Sequence, residues 1–358
     1  MSHSPRVSVL LPVHNGMPFL VETVDSLLCQ SFKDFELIIL DDGSTDEGVD
    51  YLRSLGDDRV RYHRLERAGL VAALNLGLSQ ARSETIARID ADDLAAPTRL
   101  EEQYRYLEAH PSCVLLGCDY WEIDAQGNVI SENPLTMTSD LTLRFQLCFH
   151  ATFSHPGVMF RGGVVRELGG YRPQFDVSED YDLFTRLALR GHVACLPRKL
   201  LRKRIHGGAV SIVHRERGLK QSSGIARSYV SAMFPDFDAQ WIGDLYLLYQ
   251  GRSPERSTPA KILWSFEQLC ERYSERHDPL PEDVLQSFRA VRHNLGWQCL
   301  KKARSSLSDI KEALAWFVAA RRFEPDDLSL RAAFQRRVRR MGLRLGATAQ
   351  RRETRLAK

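Results

Sequence analysis

Apolar runs that each end in a polar or acidic turn constrain this chain more than any other feature. Val7-Ser8-Val9-Leu10-Leu11-Pro12-Val13 runs into His14-Asn15-Gly16, and residues 35–40 run into Asp41-Asp42-Gly43-Ser44-Thr45-Asp46. Ile86-Ala87-Arg88-Ile89 runs into Asp90-Ala91-Asp92-Asp93. A strand without a polar face is buried on both sides, as in parallel sheets covered by helices. Between these runs the apolar spacing becomes helical, over 18–30, 47–55 and 70–81, with a short strand at 60–64. This alternation predicts an α/β layer with a mostly parallel sheet. Ligands of such sheets bind beyond the carboxyl ends of the strands. The three turns are therefore expected at one edge.

Further along, the pattern predicts a helix over 100–109, a strand at 114–117 and a hairpin over 120–130 with its turn at Gln126-Gly127-Asn128. A helix over 141–147, a strand at 158–160, a turn at 169–171 and a helix ending at 189 follow, and strand returns at 195–197 and 200–205. The α/β part is expected to end near Ser211. Beyond it, helical spacing takes over at 219–233, 241–249, 260–273, 282–300 and 308–323. The pair over 293–323 has the outline of one tetratricopeptide hairpin, which alone has no neighbour to bury its face. The expected organisation is 1–213 for a catalytic α/β domain, 214–330 for an all-α extension and 331–358 for a basic tail that is amphipathic or disordered.

At 358 residues the chain is long enough for about two domains. Net charge is only +3, but residues 331–358 carry ten Lys/Arg against one Glu. That excess predicts attraction to anionic lipid head groups. No aromatic interleaving or recognition motif supports nucleic acid. The seven cysteines are scattered and form no C-x-x-C pair, which favours reduced thiols over a zinc site or disulfide framework. No secretory leader pattern or membrane-length apolar run is present, so the expected setting is cytoplasmic, with any membrane contact peripheral at the inner face.

The acidic cluster carries the chemistry. Asp90 and Asp92 are two apart and point the same way in extended chain. Like charges so close are costly unless a cation lies between them, and a divalent metal with oxygen ligands is the usual solution. The competing reading is a capped turn, with Asp93 starting the helix that Pro97-Thr98-Arg99-Leu100 opens. On this stretch alone both stand.

Taken together, Val7 to Gly16, Leu40 to Asp46, Asp90-Ala91-Asp92-Asp93, His155-Pro156-Gly157-Val158-Met159-Phe160, Gly169-Gly170-Tyr171, Glu179-Asp180-Tyr181-Asp182-Leu183 and Arg204-Ile205-His206 with Ser211 resemble, in order, the family-2 glycosyltransferases of GT-A fold. The resemblance covers the first three-fifths of the chain. It implies a GT-A-like, Rossmann-related sheet flanked by helices. It also implies an inverting transferase of the hexosyl or N-acetylhexosaminyl class, moving a sugar from a nucleotide sugar, foremost a UDP-sugar, to an acceptor hydroxyl. The expected acceptor is a cell-envelope glycan or lipid-linked saccharide.

The resemblance also assigns roles. Pro12, Val13 and Asn15 flank the nucleotide, Asp41 or Asp42 holds the nucleoside, and Asn75 and Arg88 are polar contacts to it. Asp92 is the direct ligand of Mn²⁺ or Mg²⁺, Asp90 faces ribose or metal, and His206 is the third ligand. Asp180 is the general base, against the alternative that Ser178-Glu179-Asp180 simply starts a helix. His155 and Arg161 are placed at the mouth of the site, and Ser44, Asp46 and Asp93 are left with turn or cap work. Two rivals remain. A sugar-phosphate nucleotidyltransferase would carry a glycine-rich loop where Pro12-Val13-His14-Asn15-Gly16 stands. A silent sugar-nucleotide-binding scaffold would not need Asp90, Asp92 and Asp180.

Overall fold

The computed structural model describes residues 4–131, 138–206, 214–306 and 310–323. Ser211 and the basic segment 331–358 lie outside them. The core is a nine-stranded sheet in the order β3-β2-β1-β4-β8-β6-β9-β5, with β7 paired to β6. Its strands are β1 (Val7–Val13), β2 (Phe35–Asp42), β3 (Val60–Leu65), β4 (Thr85–Arg88), β5 (Leu94–Ala95), β6 (Cys113–Ile123), β7 (Val129–Ser131), β8 (Met159–Arg161) and β9 (His192–Arg204). β3, β2, β1 and β4 are mutually parallel. β8 runs against both β4 and β6. β6 and β9 are parallel to each other and thus run with β4.

Seven helices accompany the sheet: α1 (Leu20–Leu28), α2 (Gly48–Ser54), α3 (Leu70–Gln80), α4 (Arg99–Ala109), α5 (Asp140–Gln146), α6 (Gly162–Glu167) and α7 (Glu179–Ala188). Because side chains alternate along a strand, each apolar run feeds both faces. Val9, Leu11, Val13, Leu37 and Ile39 pack under α1, α2 and α4. Leu10, Ile38 and Leu40 pack under α3, in the core that also takes α5 and α7.

The topology explains why the site lies at one edge. The carboxyl ends of β1, β2 and β4 point the same way, and so do those of β6 and β9. β8 runs in reverse, so the segment entering it, His155–Gly157, reaches the same edge. Two strands are longer than their apolar cores suggest. β2 continues through Asp41 and Asp42, which pair with Arg64 and Leu65 of β3. β9 covers 13 residues, because β6 offers it an equally long partner. α6, not foreseen, starts on Gly162-Gly163.

The C-terminal helices are α8 (Arg215–Met233), α9 (Ile242–Tyr249), α10 (Pro259–Arg276), α11 (Glu282–Ser305) and α12 (Ile310–Phe323). They share the core of one sheet face with α5 and α7. Phe145 of α5 is fully buried, with ring centroids at 4.4 Å from Phe288, 5.2 Å from Phe149 and 5.3 Å from Tyr273. The Tyr273 hydroxyl donates to the Leu141 carbonyl at 2.7 Å, and Asp283 accepts from Thr142 at 2.8 Å and from Ser139. Across the described residues the packing is thus continuous over the boundary expected at 213. No described helix is long and apolar enough to cross a membrane.

Truncating Phe145 empties the junction where both parts meet. Phe145→Ala is expected to destabilise the chain by about 3–5 kcal/mol in denaturant unfolding, with α/β and all-α signals lost together. Loss of the helical signal alone would show that the two parts do not share one core.

Candidate active site

A cleft of about 810 Å³ opens at this edge. Its floor and walls include Pro12 to Phe19, Asp42, Arg88, Asp90 to Asp93, Tyr120, Ala151 to Pro156, Glu179, Asp180, Lys203, Arg204 and His206. The elements that the sheet topology sends to the edge supply them.

The side of the cleft after β1 and β2 is built by stapled loops. Asn15 adopts φ 52°, a left-handed conformation that Asn tolerates better than most residues. Its amide N–H donates to Ser44 Oγ at 3.0 Å, and its Oδ1 accepts from Thr45 N–H at 2.8 Å. Asp46 accepts from Met17 N–H at 2.9 Å and Gly48 N–H at 3.2 Å, so Ser44 and Asp46 do the turn work expected of them. Asp42 stands at the cleft, with its two oxygens accepting from Ala68 N–H at 2.6 Å and Gly69 N–H at 2.9 Å.

Three expected contacts are spent on the fold instead. Asp41 is fully buried and accepts from Ser44 N–H at 2.8 Å, the Tyr62 hydroxyl at 2.5 Å and Arg64 Nη1 at 2.8 Å. Burial alone would raise its pKa, but these donors outweigh it and hold the carboxyl below its ordinary value. Asn75 donates to the Tyr171 carbonyl at 2.8 Å and accepts Tyr171 N–H at 2.9 Å. It explains the preceding glycine, since Gly170 has φ +71° and a Cβ there would sit 2.5 Å from Asn75 Oδ1. Arg161 donates to the carbonyls of Cys113, Leu107 and His110, behind the sheet edge. Strand extension of β2 removes Asp41 from the cleft. The other two side chains satisfy backbone that would be buried without a partner.

Beyond β4, carboxylate oxygens of Asp90, Asp92 and Asp93 lie within 4.8 Å of one another. Asp93 does not start α4, whose cap position is Thr98. It is 2% exposed and accepts Arg204 N–H at 2.7 Å. Burial, then the charges of Asp90 and Asp92, push its pKa up to about 8. Asp92 is also raised, by burial and then by Asp90, while a 2.8 Å contact to His206 Nε2 works the other way. Oxygen ligands at this spacing, with an imidazole beside them, fit a hard divalent cation. Such an ion would relieve the repulsion that the shifts record.

Arg88 is 2% exposed and ion-paired with Asp90, while its Nε and Nη1 have no hydrogen-bond partner among the described residues. Buried N–H groups are rarely left so. Arg88 lines the cleft. Arg204 is the opposite case. It is 3% exposed, stacks on Phe19 at 4.4 Å, pairs with Glu22 and donates to the carbonyls of Asp92, Asp124 and Ala125. Its role is to hold the acidic loop.

Across the cleft, Glu179 and Asp180 open α7. Asp180 Oδ1 accepts Tyr181 N–H at 2.7 Å. Burial raises its pKa, and burial with the Asp180 charge pushes Glu179 up to about 8. Behind them, the buried His155 contacts Tyr171 Oη at 2.9 Å and lies 3.7 Å from Glu179 Oε1, its own pKa driven well down by burial. Asp182 is taken by Arg172 and Arg186. Sequence reasoning did not single out Glu179, Tyr120 or Lys203 individually. The dense basic run 198–204 beside a cleft-forming strand was the signal available for Lys203.

One sheet edge thus carries a carboxylate cluster after β4 and a separate acidic helix start, both lining the same cleft. The Glycosyl transferase family 2 profile matches residues 8–169. The O-antigen biosynthesis glycosyltransferase WbnJ of Escherichia coli is 34% identical over 186 residues, covering 51% of this chain and 71% of that protein. Among solved structures, S. aureus TarS 1-349 has a TM-score of 0.54 at 16% identity, over 90% of this chain and 92% of that one. TarS 1-349 in complex with UDP-GlcNAc gives 0.56 at 14% identity, over 95% and 93%. The chain belongs to glycosyl transferase family 2 and is a glycosyltransferase of GT-A-type fold.

The shifted carboxyls set a pH dependence. Unfolded, Asp93 and Glu179 titrate at about 4; folded and cation-free, each titrates at about 8. A folded pKa raised in this way gives stability that is present below the unfolded value and lost as pH rises through the folded one. In EDTA, the unfolding temperature is expected to fall between about pH 5 and about pH 9. Asp93→Asn, which keeps Oδ1 for Arg204 N–H, should flatten that fall. A wild-type unfolding temperature that climbs across this window would contradict the assignment.

Proposed function

We propose that this glycosyltransferase moves a hexosyl or N-acetylhexosaminyl group from a nucleoside-diphosphate sugar, foremost a UDP-sugar, to an acceptor hydroxyl of a cell-envelope glycan or lipid-linked saccharide, with inversion. The carrying observation is that Asp180 and the Asp90-Asp92-Asp93 cluster line one cleft. TarS is known in complexes with UDP-GlcNAc and with UDP, and WbnJ is named for O-antigen biosynthesis. The first supports the donor class and the second the acceptor class.

Pro12, Val13, Asn15 and Asp42 border the nucleoside, and Arg88 offers its two free N–H groups to the diphosphate. Asp92, Asp90 and His206 would hold Mn²⁺ or Mg²⁺, with Asp93 now added to the set. When bound, the cation stabilises charge on the departing diphosphate. Asp180 takes the proton of the acceptor hydroxyl while that oxygen bonds to the anomeric carbon, and the bond from that carbon to the diphosphate oxygen breaks. Attack opposite the leaving group inverts the centre. The Lys/Arg-rich segment 331–358 supplies attraction to anionic lipid, which would bring the chain to a membrane surface.

Asp180→Asn is expected to lower transfer by about 10²–10⁴-fold while UDP binding with Mn²⁺ is kept. The measurement is nucleoside diphosphate released from a sugar-nucleotide panel. Near-wild-type release from Asp180→Asn would remove Asp180 as the base, and pyrophosphate released when a nucleoside triphosphate and a sugar 1-phosphate are supplied instead would point to nucleotidyl transfer.

A further inference from the structure

Helix α7, which carries Asp180, begins without the cap its sequence offers. Ser178 stands at the N-cap position, where a serine hydroxyl ordinarily accepts an N–H of the first turn. Here it makes no such bond. The hydroxyl is buried against α8 instead, donating to the Gly218 carbonyl at 3.1 Å and lying 3.0 Å from Ser222 Oγ. Tyr181 N–H, a donor that such a cap would take, goes to Asp180 Oδ1 at 2.7 Å. One oxygen of the Asp180 carboxylate is thereby fixed by the backbone, and the other is left over.

The segment leading into α7 is held from the same side. Gln221 of α8 donates through Nε2 to the Gln174 carbonyl and to Asp176 Oδ1, both at 3.0 Å. Its Oε1 accepts Val177 N–H at 3.4 Å, and Val177 lines the cleft. Arg217, one turn earlier, pairs with Asp176 at 2.8 Å. Arg217, Gly218, Gln221 and Ser222 share one face of α8 by their spacing. The Arg217 pair is exposed on both sides and contributes little. The half-buried amide of Gln221 and the buried hydroxyl of Ser222 do the holding.

We infer that Gln221 and Ser222 are positioning residues for the transfer step. They hold residues 174–178 on α8 and keep the Ser178 hydroxyl off α7, so that Tyr181 N–H stays with Asp180 and leaves its second oxygen for the acceptor proton. This rests on the reading of Asp180 as the base. A Ser178 hydroxyl released from α8 would compete for Tyr181 N–H, and the carboxylate would lose the bond that sets its orientation. Misplacing a reacting group by about 1 Å can cost about 10²-fold in rate. Neither Gln221 nor Ser222 lines the cleft, so donor binding does not depend on them.

The test uses the full chain with Mn²⁺ and whichever of UDP-GlcNAc, UDP-glucose or UDP-galactose it turns over fastest, read as UDP release with water as the acceptor. Gln221→Leu and Ser222→Ala are each expected to lower kcat about tenfold, with KM for the donor within about twofold of wild type. Alanine suits a helix interior, so Ser222→Ala keeps the test open if Gln221→Leu fails to fold. Ser222→Thr, which keeps the hydroxyl, should restore kcat. Placed on Asp180→Asn, neither change should lower the residual release by more than about twofold, because the group they position is already gone. A further tenfold loss in that background would make the two residues merely structural and overturns the inference. So does a rise in KM without a fall in kcat, or wild-type kcat in both variants. Failure of the underlying reading is separate: Asp180→Asn alone would then retain UDP release, or the wild type would release none from any donor of the panel.

Discussion

Arg88 is the residue on which the site turns. A guanidinium buried at the edge of the sheet is costly unless charge of opposite sign surrounds it. Asp90 supplies the pairing contact, and Glu179 and Asp180 lie close enough to feel it. The reverse also holds, since the Arg88 charge opposes the rise that burial imposes on the Glu179 and Asp180 carboxyls. Arg99, also buried, donates to the Arg88 carbonyl at 2.7 Å and keeps the strand end in place. The acidic groups therefore form two sets, one after β4 and one at the start of α7, that share one buried cation.

Around that centre the fold spends polar side chains to hold loops still. Asp46 and Ser44 join the first two loops, Asp42 ties down the entry to α3, and Arg204 clamps the acidic loop from behind. Each satisfies backbone groups that would otherwise be buried unpaired. The C-terminal helices contribute differently. They cover α5 and α7 with a continuous apolar core, and so fix the helix whose first turn carries Asp180. An extension that looks remote in the chain is thereby part of what holds Asp180 in position.

Most of the fold was legible because apolar runs and helical spacing report burial directly. That Asp90, Asp92, Asp180 and His206 would meet at one cleft was legible because they stand just beyond strands or at a helix start. What was not legible follows from tertiary contacts. Asp41 and Asp42 look equivalent in sequence, and only the pairing of β2 with β3 turns one inward to Tyr62 and Arg64 and leaves the other at the cleft. Asn75 reads as a helical surface residue or a ligand contact, and the close approach of Gly170 decides for neither. Asp93 looked like a cap; the bond from Arg204 N–H, 111 residues away, draws it into the cluster. Lys203 sits in a run of basic residues whose members face different partners, and nothing in the run says which one reaches the cleft.

The central claim is that the edge of this sheet binds a divalent cation together with a nucleoside diphosphate. Electron paramagnetic resonance of Mn²⁺ titrated into the full chain, with and without UDP, tests it most directly. The account predicts about one tightly bound Mn²⁺ per chain when UDP is present, lost in Asp92→Ala and kept in Asn75→Ala. Mn²⁺ that stays free in the presence of UDP, or binds equally well to Asp92→Ala, would contradict it.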